Sequence, residues 1–437
     1  MRLADALAER LRAAPITAGT PSVARTVAGH LAARAWQHRR TPHALPRTLV
    51  DGAFVAAALA IFGTGAAHAD GGAFHPVAFL PDYHGEHFHA ALRRLLVTGS
   101  GPFVVHLSTT ARCPWSCQYC FASAGGPDAV DPGDTDLDRV AAGLAERRVP
   151  MVILSGGEPL ARFARVVRLA GILSRGCEVR LVTSGAGLTA ERATALRDAG
   201  VRVVAVSLDS DDAMRVDAMR GRGASEVAHA AITASVNAGL FTLVTSVVGR
   251  ATFTDEAAVD RFLRGIAARH PKAVVNFVPA FATGRGAREG FGSPAAFAPT
   301  GAMVARAVRA GGHRAGVFYA PPMDALVGCV GAAHRQLVLD ARGELFACVS
   351  RASHGNVHRE GLDVVWRRML AAPSRYAQGY FCADVADRDL DGDALDPTAT
   401  RAALEGFFAR TPDALLQRVL DVAGPVLARV SREDGLP

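Results

Sequence analysis

An α/β fold built on a parallel sheet is predicted between residues 103 and about 282, on two observations. Strand-like apolar runs alternate there with helix-like segments, and repeated strand and helix units imply parallel strands joined by helical crossovers. Several runs, such as Val203-Val-Ala-Val206, are apolar at every position, which suits strands covered on both faces. The strand candidates are Phe103 to Thr109, Pro150 to Ser155, Glu178 to Ser184, Val201 to Asp209, Leu240 to Val248 and Ala273 to Pro279. Helices such as Asp136 to Arg148 and Ser225 to Gly239 lie between them. Sheets of this kind build their chemistry at the C-terminal ends of the strands, so the polar residues there carry the functional reading.

The length of 437 residues allows a large core and two or three domains. Half of the residues are hydrophobic and a fifth are charged, an ordinary balance for a soluble globular protein. A net charge of +7 would suit nucleic acid if it were clustered, but the basic residues are scattered. Lys272 is the only lysine among the 48 basic residues, a bias that a GC-rich genome explains better, so no nucleic-acid partner is expected.

Residues 1–100 read as a helical N-terminal region. Thr20-Pro21 resembles a cap with proline at the first helical position, opening a helix to about Arg39. Met1 to Arg12 is amphipathic and charged, so no N-terminal signal peptide is expected. Gly52 to Ala67 is uncharged and apolar but shorter than the roughly 20 residues a bilayer span needs. A buried helix is preferred there to a membrane contact. The Ala-His-Ala that follows is a coincidental match to a signal-peptidase site. His84, Glu86, His87 and His89, with His75 near in sequence, contain the donors of a metal site, although surface histidines are the commoner use of such a loop.

The first strand candidate runs directly into Cys113-Pro-Trp-Ser-Cys117-Gln-Tyr-Cys120. Three thiols this close in sequence cannot pair as unstrained disulfides, but they can wrap three corners of one iron-sulfur cluster and leave one iron open. A zinc knuckle or an electron-transfer cluster is the alternative. The Cys-x3-Cys-x2-Cys spacing, with aromatic Tyr119 before the third cysteine, resembles the radical S-adenosylmethionine (SAM) superfamily. The resemblance implies a partial (β/α)6 TIM-like barrel. It also implies a 4Fe-4S cluster on Cys113, Cys117 and Cys120, which reductively cleaves SAM to a 5′-deoxyadenosyl radical. Seven cysteines, unevenly placed, together with an oxygen-sensitive cluster, argue for a reducing, cytoplasmic setting.

The strand ends extend the resemblance. Ser155-Gly156-Gly157-Glu158-Pro159 matches the family's Gly-Gly-Glu motif. Glycines let backbone approach a ligand closely and a carboxylate binds an ammonium. By resemblance, Gly156, Gly157 and Glu158 receive the methionyl amine of SAM, and Ser184, Ser207 and Asp209 surround its ribose and carboxylate. Asp217 to Gly221, with Val216 in place of the usual histidine, and Gly284-Arg285-Gly286 resemble segments of the branch that carries a C-terminal SPASM or twitch extension. Arg220 and Arg285 are candidates to hold carboxylates near the site or, as readily, ordinary surface arginines. Cys177, just before the third strand and away from the chemistry, reads as a structural thiol.

A second cysteine pattern follows. Cys329 and Cys348 flank Asp340-Ala-Arg-Gly343, a turn between short strands Gln336 to Leu339 and Leu345 to Ala347. Gly355-Asn356-Val357 and a helix around Trp366 come next, as in SPASM and twitch extensions. The dense cysteine run of a full SPASM domain is missing. The shorter twitch type is therefore preferred, with Cys329, Cys348 and Cys382 on one auxiliary 4Fe-4S cluster and Asp384, His334 or substrate as the fourth ligand. Two buried structural cysteines are the alternative. Asp387 to Gly392 starts like a calcium loop, but Thr398 stands where the bidentate Glu belongs, so a solvated acidic loop is preferred. Thr398 to Ala409 and Pro412 to Val430 read as closing helices.

The expected organisation is a helical region at 1–100, the barrel core at 101–300, and the auxiliary-cluster domain with its helices at 301–437. The expected activity is hydrogen abstraction leading to oxidation or bond formation, with a flavodoxin- or ferredoxin-type electron donor. A nearly all-helical N-terminal region favours a small-molecule substrate, with maturation of a ribosomal peptide as the alternative. A more distant rival is a non-catalytic iron-sulfur protein that transfers electrons or senses redox state.

Overall fold

The computed structural model describes residues 101–127, 131–249, 252–280, 336–347 and 353–372, with shorter stretches or single residues between 67 and 94, at 129, at 283–288, and between 300 and 334. Its first elements are β1 (Ala67–Ala69) and β2 (Gly72–Phe74), an antiparallel pair joined across Asp70-Gly71. At this place the chain departs from the nearly all-helical reading of residues 1–100. A two-residue Asp-Gly connection favours a tight hairpin, and flanking runs as short as Ala-His-Ala carry too little pattern to announce strands. The expected helix at 20–39 and most of the apolar stretch at 52–67 lie outside the described residues.

The main sheet takes up the six expected strands in chain order: β3 (Val104–Ser108), β4 (Met151–Ser155), β5 (Glu178–Thr183), β6 (Val201–Ser207), β7 (Phe241–Val248) and β8 (Val274–Pro279). Each pairs in parallel with the next. Two further parallel strands flank the six. β9 (Ala315–Val317), which the sequence did not suggest, adds to β8, and β10 (Gln336–Leu339) adds to β3. Beyond β10 come β11 (Glu344–Phe346) and β12 (Ser353–Asn356), both antiparallel. The order is β12-β11-β10-β3-β4-β5-β6-β7-β8-β9, so the sheet is open, with β9 and β12 at its edges. The expected C-terminal hairpin is thus seated on the strand from which the cysteine loop departs.

Helices α1 (Asp134–Glu146), α2 (Phe163–Leu173), α3 (Ala190–Asp198), α4 (Ala213–Arg220), α5 (Ala224–Asn237) and α6 (Glu256–Arg269) fill the crossovers. Their starts follow from side-chain oxygens that take up orphan N–H groups: Thr189 accepts from Arg192 N, Asp212 from Met214 N and Asp255 from Ala258 N. Leu137, Val140 and Leu144 on α1 and Val166, Leu169 and Leu173 on α2 repeat at helical spacing and meet Val105, Leu107, Val152 and Leu154 on the outer face of the sheet. The alternate positions face inward, where Val203, Ala205, Phe241, Leu243 and Val274 form a separate apolar floor. Cys177 is buried in the outer core with its thiol toward the Leu144 carbonyl, and burial pushes its pKa up to about 12, as befits a structural thiol. Three more helices follow: α7 (Gly284–Arg288), α8 (Val357–Glu360), capped by Asn356, and α9 (Leu362–Ala371), which brings Trp366 to the core. Among the described residues no helix is long and apolar enough to cross a membrane.

Phe262 on α6 is fully buried, its ring packed against Phe253 and Phe277 at centroid distances of 5.7 and 6.1 Å. Phe262→Ala is expected to lower the unfolding free energy by about 3–5 kcal/mol, measured as a fall in the urea midpoint without a change in slope.

Candidate active site

The loop leaving β3 carries Cys113, Cys117 and Cys120 as free, half-buried thiols. Its backbone is held from several sides. Ser116 N and Gln118 N donate to the carbonyls of Arg220 and Met219 at the end of α4. Arg285 donates through Nε to Cys117 O at 2.7 Å and through Nη1 to Ala124 O at 2.9 Å, while its own N–H donates to Cys120 O at 2.9 Å. Arg285 therefore binds the loop's carbonyls rather than the carboxylates offered by the sequence reading. Asp131, which sequence reasoning missed, closes the far end of the loop. It accepts from the Thr110 hydroxyl, from Arg162 Nε at 2.6 Å and from Arg112 at 3.2 Å.

Beneath the loop is a buried hub. Asp209 and Arg220, 0% and 6% exposed, form a two-pronged ion pair at 2.6 and 3.0 Å. The Tyr119 hydroxyl donates to Asp209 Oδ2, Val247 N donates to Oδ1 at 2.9 Å, and the Arg220 guanidinium lies over the Tyr119 ring. Both Asp209 oxygens are thus engaged by protein. Asp209, expected from the resemblance to lie near the ribose or carboxylate of a ligand, here positions the loop between Cys117 and Cys120. Arg220 does hold a carboxylate, as proposed from sequence, and it is that of Asp209.

The Gly-Gly-Glu segment is likewise bonded within the protein. Gly157 N and Glu158 N donate to Thr110 O and Arg112 O, each at 2.7 Å. A Cβ on Gly156 would stand 2.4 Å from Thr110 O, and one on Gly157 2.2 Å from Arg112 O. The glycines are required because the cysteine loop's own backbone passes this close. Glu158 is 1% exposed and accepts from Leu160 N, Thr183 Oγ1, Ser184 N and the Ser184 hydroxyl, which fills the usual capacity of a carboxylate. Burial is the main cause raising its pKa, opposed by these hydrogen bonds. Ser184 Oγ in turn accepts from Trp115 Nε1 at 2.8 Å, linking Glu158 to the loop. Ser207 ends β6 half-exposed on the inward face.

The donor set fits an iron-sulfur cluster in its chemistry. Burial pushes the Cys113 thiol up to about 11 and raises Cys117, and each thiol's ionisation is further opposed by its neighbours' charge. Such thiols are poor free nucleophiles, whereas a metal centre replaces their protons on binding. Among the described residues no three His, Cys, Asp or Glu side chains converge on a single ion. His87 is described, but His75, His84, Glu86 and His89 lie outside the described residues, as do Cys329, Cys348, Cys382, Asp384 and the acidic loop at 387–398. His334 is described and its ring meets that of His354 edge-on at 5.0 Å.

Comparison with known proteins agrees with the fold and the loop. The family description of the radical SAM superfamily matches residues 107–262, so this part of the chain is similar to a radical SAM domain. A PqqA peptide cyclase of Methylocella silvestris is 37% identical over 148 residues, covering 32% of this chain and 39% of the relative. A GTP 3′,8-cyclase of a Synechococcus species is 41% identical over 129 residues, covering 27% of this chain and 35% of the relative. The chain thus spans well under half the length of these curated relatives. The crystal structure of Streptococcus suis SuiB bound to S-adenosylmethionine shares the fold, with a TM-score of 0.50 at 13% identity over 64% of this chain and 68% of that one.

Removing either partner of the Asp209–Arg220 pair strands a buried charge. Asp209→Asn and Arg220→Leu should each destabilise the cluster-free chain by about 3–5 kcal/mol. In a double-mutant cycle read by chemical denaturation, the double variant should lose clearly less than the sum; additive losses would show that the two do not act as one unit.

Proposed function

We propose that this protein is a radical SAM enzyme in which Cys113, Cys117 and Cys120 ligate a 4Fe-4S cluster and leave one iron open for SAM. When bound there and reduced, the cluster and SAM supply a 5′-deoxyadenosyl radical that abstracts an unactivated hydrogen from substrate. The observation that carries the reading is the tethering of the three-cysteine loop. Arg285, the Asp209 hub and the Gly-Gly-Glu segment all fix its backbone, while its thiols stay half-buried at the C-terminal ends of the strands. In this proposal Gly156, Gly157 and Glu158 line the side that receives the methionyl amine of SAM, and Ser184 and Ser207 the side of its ribose and carboxylate. Glu158 holds Ser184 in place, and Asp209 holds the loop.

We infer the same division of labour for the C-terminal part, with Cys329, Cys348 and Cys382 on an auxiliary cluster. In its support, the turn expected between the two strands is present, with Gly343 N donating to Asp340 O at 3.1 Å. Its hairpin also pairs directly with β3. Of the two substrate classes, a peptide is favoured. The strand pair at Ala67–Phe74 adds strand to a region read as nearly all helical, which weakens the premise behind the small-molecule reading, and the Methylocella relative is named for a peptide substrate. A cytoplasmic setting and a flavodoxin- or ferredoxin-type donor complete the proposal.

Anaerobic reconstitution with iron and sulfide, followed by dithionite and SAM, is expected to yield 5′-deoxyadenosine by chromatography, and Cys117→Ala to reduce it to background. A reconstituted wild type that forms no 5′-deoxyadenosine, or a Cys117→Ala variant that still does, would refute the assignment.

A further inference from the structure

The inner wall of the barrel contains polar atoms that the protein itself leaves unsatisfied. Val105, Leu107, Val275 and Phe277 belong to the outer core, so the alternate residues His106 on β3 and Asn276 on β8 face the lumen. Asn276 is 2% exposed and its Oδ1 is buried with no hydrogen-bond partner; His106 Nε2 is likewise buried and unpartnered. Burial holds the His106 pKa down to about 4, so the ring is neutral at ordinary pH. Buried polar groups are almost always paired, and one that is not requires an explanation such as a ligand or an ordered water.

The surroundings define the chemistry. Asn276 belongs to a lateral row, Ser207–Thr245–Asn276, across β6, β7 and β8, which continues to Gly316 on β9. That row starts at a position on the proposed nucleotide side, which sets Asn276 on the wall beside the radical source. Across the sheet, inward-facing Ser108 pairs with Ser155. The inward-facing charges described on β3 to β8 are Glu178 and Arg180, buried and bonded to each other at 2.7 Å. Among the described residues the wall therefore offers hydroxyls, a carboxamide and a neutral imidazole, with no cation placed to receive a phosphate or carboxylate.

We propose that the lumen recognises an uncharged amide of the substrate, whose N–H donates to Asn276 Oδ1, and that Asn276 is a specificity-determining residue. The inference rests on the radical SAM reading and narrows its substrate to one that inserts an amide, either a peptide backbone or a small carboxamide, rather than an anionic group.

The test uses the full-length reconstituted protein with SAM and saturation-transfer NMR. The probes are N-acetylalanine N-methylamide, propionamide, N-acetylalanine and GTP. Both amides should bind and the two anions should not. At least tenfold tighter binding of the blocked dipeptide identifies a backbone amide, and the reverse identifies a small carboxamide. Asn276→Ala should weaken amide binding at least tenfold. Asn276→Leu should do the same with an unchanged or raised melting temperature, which a purely structural asparagine would not allow. Failure of both amides to bind, equal or tighter binding of an anion, or unaltered binding in Asn276→Ala would overturn the proposal. Formation of 5′-deoxyadenosine in the same samples separates the two readings: its absence counts against the enzyme assignment, and its presence without amide binding counts against this inference alone.

Discussion

The arrangement depends on a carboxylate with no exposure to water. Asp209 sits where β6 ends and gathers Arg220 from α4, the Tyr119 hydroxyl from the cysteine loop and the Val247 N–H from β7. A buried ion pair contributes little net stability, because desolvating two charges offsets most of their attraction. Its value lies in geometry: a two-pronged carboxylate–guanidinium pair has one good orientation, and in a low-dielectric pocket each further hydrogen bond polarises the next. The hub ties the end of β6, the end of α4 and β7 to the stretch between Cys117 and Cys120. A loop of that length without such a tether would spread its thiols over many conformations.

The Gly-Gly-Glu segment meets the same requirement from the other side. Gly157 N and Glu158 N donate to carbonyls of the cysteine loop, and the close approach of the two backbones admits no side chain at Gly156 or Gly157. Glu158 then locks Ser184, and Ser184 receives the Trp115 indole. The end of β4, the end of β5 and the loop after β3 are thereby fixed as one surface. Residues that resemble ligand contacts in a one-dimensional reading are, in the folded chain, also the joints that hold the cluster loop. Preorganisation of this kind removes the cost of ordering the loop when a cofactor arrives.

The six strands of the sheet were legible in the sequence because runs such as Val203-Val-Ala-Val206 are apolar throughout and the crossovers carry helical spacing. The cysteine loop was legible because its chemistry is local, three thiols within one short stretch. What escaped was set by tertiary contact. β9 and β12 are three- and four-residue strands whose identity comes from the edge they join. Asp131 has no sequence signal that separates it from any other loop aspartate, and its role appears only once Thr110 and Arg162 are beside it. Asp209 was singled out by position, but its protein partner was not, since nothing in Ser207-Leu-Asp209 announces that Arg220, eleven residues on, folds back onto it.

Charge placement links these observations to chemistry. Two buried ion pairs beside the lumen are neutralised within the protein, Asp209 by Arg220 and Arg180 by Glu178, while buried Glu158 is held by hydroxyl and N–H donors. A paired charge exerts a short-ranged field, so the inner wall is left to uncharged groups, Ser108, Ser155, Ser207, Thr245 and Asn276. Such a wall offers hydrogen bonds without a fixed net charge. The cost is a poorly satisfied lumen in the free chain, visible at Asn276 and His106. An unsatisfied buried acceptor is destabilising by about 1–3 kcal/mol, and a substrate that supplies the missing donor recovers that free energy on binding. Selectivity follows: a hydrogen-bonding wall discriminates against a molecule that lacks the matching group far more strongly than an apolar wall discriminates by size.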